Sequence, residues 1–336
     1  MRSLFTTLIL LFLIATPFAA ADQSLFYKEV NLIGGYSDRD KWVDKTSDMP
    51  SSLGFEYYRK FSNEYGDYLT ADLQMRVAYD SSKSMDEAWG VEFHNAWLEY
   101  KLMPQLKIRG GHFSPSFGLE PIVDTHGTLL QTLAMDDIGF KLDWGAGFRG
   151  FISKLDYEVA MQLGSGMSIR WEDDGNYLAS ARIGLAQNEN PQVGFSLLWG
   201  EVLETEGMST LPRNKLLSSD PIRKTRVGLD GQYLYGPLLF KAEVAYGKND
   251  NDYVFGYLGE IDFTIPKYQN VELELQFKSW INDLDMRGSD NTTLTAGVSY
   301  KLSQSITLRT AYSHDFNMMN KKEENKIIAQ FYFYGK

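Results

Sequence analysis

From Leu25 onward the chain alternates apolar and polar positions again and again. Val271, Leu273, Leu275 and Phe277 interleave with Glu272, Glu274, Gln276 and Lys278. Leu69, Ala71, Leu73, Met75, Val77 and Tyr79 interleave with Thr70, Asp72, Gln74, Arg76, Ala78 and Asp80. Side chains on a strand point alternately to opposite faces, so each segment carries one apolar and one hydrated face. A strand that crosses a bilayer needs about 9–11 residues. Repeated this often, the pattern predicts an all-β fold: a closed transmembrane antiparallel β-barrel with lipid outside and water inside. Sixteen strands are expected, at 25–36, 52–62, 67–80, 89–102, 106–115, 142–153, 155–165, 176–187, 192–201, 224–235, 238–248, 253–265, 270–281, 292–302, 305–315 and 325–334. The even number puts both ends of the chain on one side of the membrane.

The connections carry a second regularity. Every second one is tight, as at 62–65, 103–105, 153–154, 235–237, 266–269 and 303–304. The alternate ones, 37–51, 81–88, 116–141, 202–223, 282–291 and 316–324, are mostly longer and more charged. Ala186 to Pro191 is long for its side and Lys248 to Asp252 short for its side, but the parity holds. Short turns on one rim and long loops on the other is how outer-membrane barrels are built. Aromatic residues fit the same scheme. Trp199, Tyr233, Tyr235, Tyr246, Tyr300, Phe331 and Phe333 fall on the apolar face near strand ends, where an apolar ring and a polar tip are both satisfied.

Composition narrows the setting. Met1 to Ala21 reads as a cleaved secretory signal, with Arg2, the apolar run Leu8 to Ala15 and the small residues Ala19-Ala20-Ala21. The remainder, 22–336, reads as one barrel domain in the bacterial outer membrane. Mean hydropathy is only −0.31, because half of every such strand faces water. Cysteine is absent, so an exported chain must be held by its core or by a closed hydrogen-bond ladder. The formal net charge of −11 argues against nucleic acid as a partner, which calls for basic stripes.

The candidate chemistry lies on the hydrated face and in the connection after the fifth strand. Period-two parity sends Arg76, Arg109, Arg149, Arg182 and Arg309 inward, with Lys60, Lys101 and Lys107 nearer the short-turn rim. Asp72, Glu99, Glu158, Asp230, Glu243 and Glu274 share that wall. A charge on the lipid face costs about 2–4 kcal/mol at midplane, so inward placement is favoured. The connection from Ser114 to Lys141 holds Leu129, Leu130, Leu133, Ala134 and Met135, able to pack on an inner wall, together with Glu120, Asp124, Asp136 and Asp137.

The stretch Lys107-Ile108-Arg109-Gly110-Gly111-His112-Phe113-Ser114-Pro115-Ser116-Phe117-Gly118-Leu119-Glu120 resembles the end of the fifth strand and the start of the constriction loop in phosphate-selective porins of the O/P family. The resemblance is local. It implies a trimeric sixteen-stranded channel, a loop folded inward after strand 5, and arginines that line the path. Here the arginines are dispersed and the loop is acidic, so the expected function is passive diffusion of ions and small hydrophilic solutes with a weak or cation-leaning preference; phosphate or other anions follow from the resemblance alone. Acidic groups at a constriction would have their field concentrated by the low-dielectric wall.

Two rival readings remain open. His112 and Ser114 lie two apart on one strand face, an arrangement similar to that of outer-membrane phospholipases, in which a serine attacks a lipid ester and a histidine acts as base. Pro115 follows Ser114, where that pattern continues with Asn. An adhesin or structural barrel is the other, with the 202–223 loop and its Arg213, Lys215 and Arg223 as the working surface, able also to bridge lipopolysaccharide. No cofactor is expected. His94, His126 and His314 lack the spacing of a zinc site, and calcium at Asp173-Asp174 or Asn249 to Asp252 is the weaker explanation of those loop charges.

Overall fold

A computed structural model describes residues 23–46, 49–81, 83, 88–170, 175–286, 288–317 and 323–336. The expected signal segment and the Asp173-Asp174 pair lie outside the described residues. The barrel is made of β1 (Gln23–Ser37), β2 (Ser51–Asn63), β3 (Gly66–Tyr79), β4 (Trp89–Met103), β5 (Leu106–Phe113), β6 (Asp143–Ile152), β7 (Leu155–Gln162), β8 (Tyr177–Leu185), β9 (Gln192–Val202), β10 (Ile222–Tyr235), β11 (Leu238–Asn249), β12 (Asp252–Thr264), β13 (Val271–Ile281), β14 (Asp290–Lys301), β15 (Ile306–Asn317) and β16 (Glu324–Gly335). Each end agrees with the sequence expectation to within three residues.

Every strand pairs antiparallel with its sequence neighbour, and β1 closes on β16 from Lys28↔Gly335 to Ser37↔Lys326. Closure removes the sheet edges that would otherwise expose unpaired N–H and C=O groups to lipid. At the long-loop rim the seam is tied by Asp38, whose carboxylate accepts from the Asn325 side chain (2.7 Å) and backbone N–H (3.1 Å). Those two donors hold the Asp38 carboxyl below the ordinary range.

Exposure along the strands is inverted relative to a water-soluble protein. On β9, Val193, Phe195, Leu197 and Trp199 are exposed, while Gly194, Ser196 and Gly200 are buried. On β10, Val227 and Leu229 are exposed and Arg226 and Asp230 buried. Scattered exposed apolar residues are ordinary on any protein; a period-two apolar skin over charged inward positions is not.

Strands β5 to β8 are short, at 8, 10, 8 and 9 residues. As a result β5 pairs with β4 only as far as Ala96↔His112, and the upper part of β4 lacks a barrel partner on that side. The connection between β9 and β10 covers it. Val91 donates to Leu211 O (2.7 Å), Leu211 donates back to Val91 O (3.0 Å), and Phe93 N–H reaches Thr210 Oγ1 (3.1 Å). The loop expected to offer an adhesive surface therefore also finishes the wall, while Arg213 and Lys215 stay exposed on it.

Candidate functional site

The 114–142 segment contacts the inward faces of strands on opposite sides of the ring. One flank is apolar. Phe117, Ile138 and Phe140 cluster with Leu178 of β8, Leu198 and Val202 of β9, Ala245 of β11, Val254 of β12 and Trp280 of β13. Phe117 fits because Gly228 of β10 leaves a notch: a Cβ there would stand 2.7 Å from the ring. Leu119 and Leu133 pack with Leu258 of β12, flanked by Ile122 and Val123.

Polar anchors run beside this packing. Backbone N–H groups of Ser116 and Gly118 donate to Ser180 Oγ (2.9 Å) and Ser196 Oγ (3.1 Å). The segment's one helical turn, α1 (Ala134–Asp137), presents Asp136 to Lys278 (2.8 Å) and Asp137 to Arg226 (2.5 Å). Lys224 donates to Ile138 O (3.0 Å), and Gln276 to Gln131 O (3.1 Å). Across the ring, His126 meets Glu29 of β1 (2.9 Å), Gln74 of β3 (2.9 Å) and Tyr332 of β16 (3.3 Å).

The inward arginines are mostly held by carboxylates. Arg76 lies between Glu29 and Glu92, 3.6 Å from each, and donates to His94 (2.9 Å). Arg109 pairs with Glu99 (3.2 Å) and Glu158 (3.4 Å) and lies over the Trp97 ring. Arg149 also binds Glu99. Arg182 grips both oxygens of Asp230, at 3.0 and 2.5 Å. Arg309 instead donates to Gln330 (3.1 Å) and lies over Tyr332.

The four acidic groups of the segment divide by role. Glu120 accepts from Thr125 and Thr132, both in the same segment, and so braces it. Asp137 is buried in its ion pair, 1% exposed at the side chain. Asp124 accepts from the His126 N–H (2.9 Å) and faces a cavity, and Asp136 faces another.

Sequence reading passed over Arg226 and weighed His126 only as a metal ligand. Arg226 alternates with Val227 and Leu229, so parity alone assigns it inward; its importance comes from Asp137, distant in sequence. His126 lies in a connection without periodicity, and no local pattern pointed to it.

Among the described residues, three cavities border the segment. Towards the short-turn rim one of about 580 Å³ is lined by Lys60, Glu99, Lys107, Arg149, Glu158 and Arg182. An inner chamber of about 170 Å³ is lined by the segment and by Lys241, Glu260, Asp262, Glu272, Glu274, Lys301 and Arg309. An outer cavity of about 350 Å³, towards the long loops, includes Lys45, Asp136, Lys278, Asp315 and Lys326. No cluster of three or more metal-ligating side chains occurs among the described residues.

The pair His112 and Ser114 does not form a working dyad. Period-two parity turns His112, like Ile108, to the outward face, but its ring is fully buried against Trp144 (4.8 Å between centroids), and neither ring nitrogen has a hydrogen-bond partner. The reason is local, because Trp144 itself is tied down by its Nε1–H to Met167 O (3.1 Å), in the connection after β7.

An inverted, closed ring of sixteen antiparallel strands is the fold of outer-membrane barrels of porin type, and the bacterial outer membrane is where such a skin is stable. Among solved structures, a loop L8 deletion mutant of OmpT, an outer membrane protein of Vibrio cholerae, covers 94% of this chain and all of its own length at 13% identity and a TM-score of 0.64. An anion-selective porin from Comamonas acidovorans covers 93% of this chain and 99% of its own length at 9% identity, with a TM-score of 0.65. The outer membrane channel DcaP of Acinetobacter baumannii covers 95% and 99% at 12% identity, with a TM-score of 0.59. No family model matches the sequence, and no curated protein does. At these identities the likeness concerns the fold.

Proposed function

We propose that this protein is a passive channel for ions and small hydrophilic solutes, and that the 114–142 segment is its constriction, lying across the lumen. One observation carries the reading: the segment is anchored on opposite inner walls, at Arg226 and at Glu29, with polar cavities on both sides of it. A buried core would fill that space with apolar side chains; here charged groups line it. The porin and the channel among the structural neighbours support the same class.

The preference we propose is cation-leaning. The inner chamber gathers Asp124, Glu260, Asp262, Glu272 and Glu274 against Lys241, Lys301 and Arg309, and Lys241 is engaged by both Glu260 and Asp262 (2.7 Å to the latter). Four of the five arginines that a phosphate ladder would need are paired with carboxylates. Reconstitution in a planar bilayer tests this, through step conductance and the reversal potential in a salt gradient, with and without phosphate. Cation-positive reversal is expected, and strong anion selectivity would overturn the preference. Replacing Glu272 and Glu274 by Gln removes two charges, each worth ~0.8 kcal/mol to a cation about 5 Å away in water. The permeability ratio is then expected to fall by roughly tenfold for the pair.

The protein is proposed to act without catalysis, since the His112 ring is buried and neither of its nitrogens has a hydrogen-bond partner among the described residues. A Ser114→Ala variant should leave any trace of phospholipid hydrolysis in the preparation unchanged. A homotrimer is proposed by analogy with the trimer form recorded for the Vibrio cholerae protein, and lipid and lipopolysaccharide as its surroundings. Current steps in multiples of three would support that assembly, and strictly single steps from a sized monomer would exclude it.

A further inference from the structure

The cavities bordering the segment are lined by nearly separate sets of residues. The outer cavity and the inner chamber share one lining residue, Gln131. Neighbouring wall strands change cavity at the same level. Thr295 of β14 lines the outer cavity and Ser299 the inner chamber, with Gly297 between them. On β15 the change falls between Ala311 and Arg309, and on β13 between Gln276 and Glu274. At that level the wall is therefore Gly297 and Ala311, paired across the strands.

What meets this small-residue wall is Leu130. A Cβ built on Gly297 would stand 2.8 Å from Glu274 Oε2, of its own wall, and 3.5 Å from Leu130 Cδ1, the group that reaches it from the segment, and Leu130 and Ala311 are each only 7% exposed. The backbone behind Leu130 is fixed. Gln131 O accepts from Gln276, the Thr128 hydroxyl donates to Leu130 O (2.8 Å), and Gln131 Nε2 donates to Thr128 O (2.6 Å). The leucine side chain thus leans from an anchored backbone onto a wall that offers, at that level, the Ala311 methyl and the side chain of Glu274.

We propose that Leu130 against Gly297 and Ala311 is the seal that limits passage between the outer cavity and the acidic chamber. This rests on the channel reading above and deepens it, since it replaces a purely charged constriction by an apolar slit followed by a charged chamber. A narrow apolar slit excludes water and gates by dewetting. Displacing Leu130 needs only a rotamer change, which is fast where space allows. Charge in the chamber then selects among solutes that have passed the slit, and the slit sets the rate.

The absence of cysteine makes the test clean. Ala311→Cys and Gly297→Cys are introduced singly into the full chain and treated in the bilayer with a charged methanethiosulfonate reagent. Modification at either position is expected to reduce current on the order of twofold or more, because added bulk fills the slit. Leu197→Cys, on the lipid-facing side of β9, is expected to leave current unchanged. Leu130→Ala should raise unitary conductance on the order of twofold, and Leu130→Thr, closer in shape, should also raise it if the alanine variant fails to assemble. A conducting wild type whose current is indifferent to modification at both positions and to both Leu130 variants overturns the seal and leaves the channel standing. Absence of current in every form, with barrels inserted, overturns the channel reading itself.

Discussion

Replacing Asp137 by Ala is expected to destabilise the barrel by about 3–5 kcal/mol, because it strands a buried cation. The Arg226 side chain is fully buried, 2.5 Å from Asp137 and over the Trp280 ring, so water does not reach it once its partner is gone. Arg226 keeps bonds to Asn249 Oδ1 (2.5 Å) and to the Thr225 and Lys248 carbonyls, but these are neutral acceptors. Denaturant midpoints in detergent, read by loss of the compact form on unheated gels, measure the loss. The 114–142 segment should loosen with it, since Asp137 is its main charged anchor to β10. Current through the variant should therefore be noisier. The double variant Asp137→Leu with Arg226→Met should recover most of the stability, because a buried pair exchanged for apolar groups of similar volume is often neutral. If the single and double variants are equally unstable, the pair is not what holds the segment.

The legibility of this chain in its sequence follows the reach of each signal. Strand positions were readable because side-chain alternation is local: Val227, Leu229 and their neighbours announce which side of β10 faces lipid without reference to any other strand. The loop parity was readable for the same reason. Partners were not. Arg182 and Asp230 are both assigned inward by parity, yet that they meet at 2.5 Å depends on the positions of β8 and β10 on either side of β9. The five arginines accordingly looked like a dispersed ladder and proved to be mostly neutralised. The 114–142 connection has no period at all, so neither the His126 contact with Glu29 nor the Leu130 contact with the Gly297 wall could be read before folding. His112 failed for a related reason. Parity says which way a side chain leaves its strand, and it says nothing of a neighbour such as Trp144 that covers it.

That same parity yields the second large effect. Leu229→Arg is expected to cost about 2–4 kcal/mol, the penalty for a cation on the lipid face near midplane. Leu229 is 59% exposed, opposite Phe195 of β9, in the middle of an apolar skin that Leu197, Val227 and Val244 continue. A guanidinium there has neither water nor carboxylate within reach, since Asp230, next in sequence, points to the other side and is already taken by Arg182. The inward-facing comparison is Thr295→Arg, which adds the same charge to the outer cavity near Asp136 and Asp315. Insertion yield into lipid vesicles and resistance to urea should drop for the first and stay near wild type for the second. The asymmetry is the decisive quantity. A soluble sandwich would treat an exposed Leu229 as a harmless site for arginine, so equal tolerance at the two positions would mean that the exposed apolar skin faces water and the chain does not span a membrane.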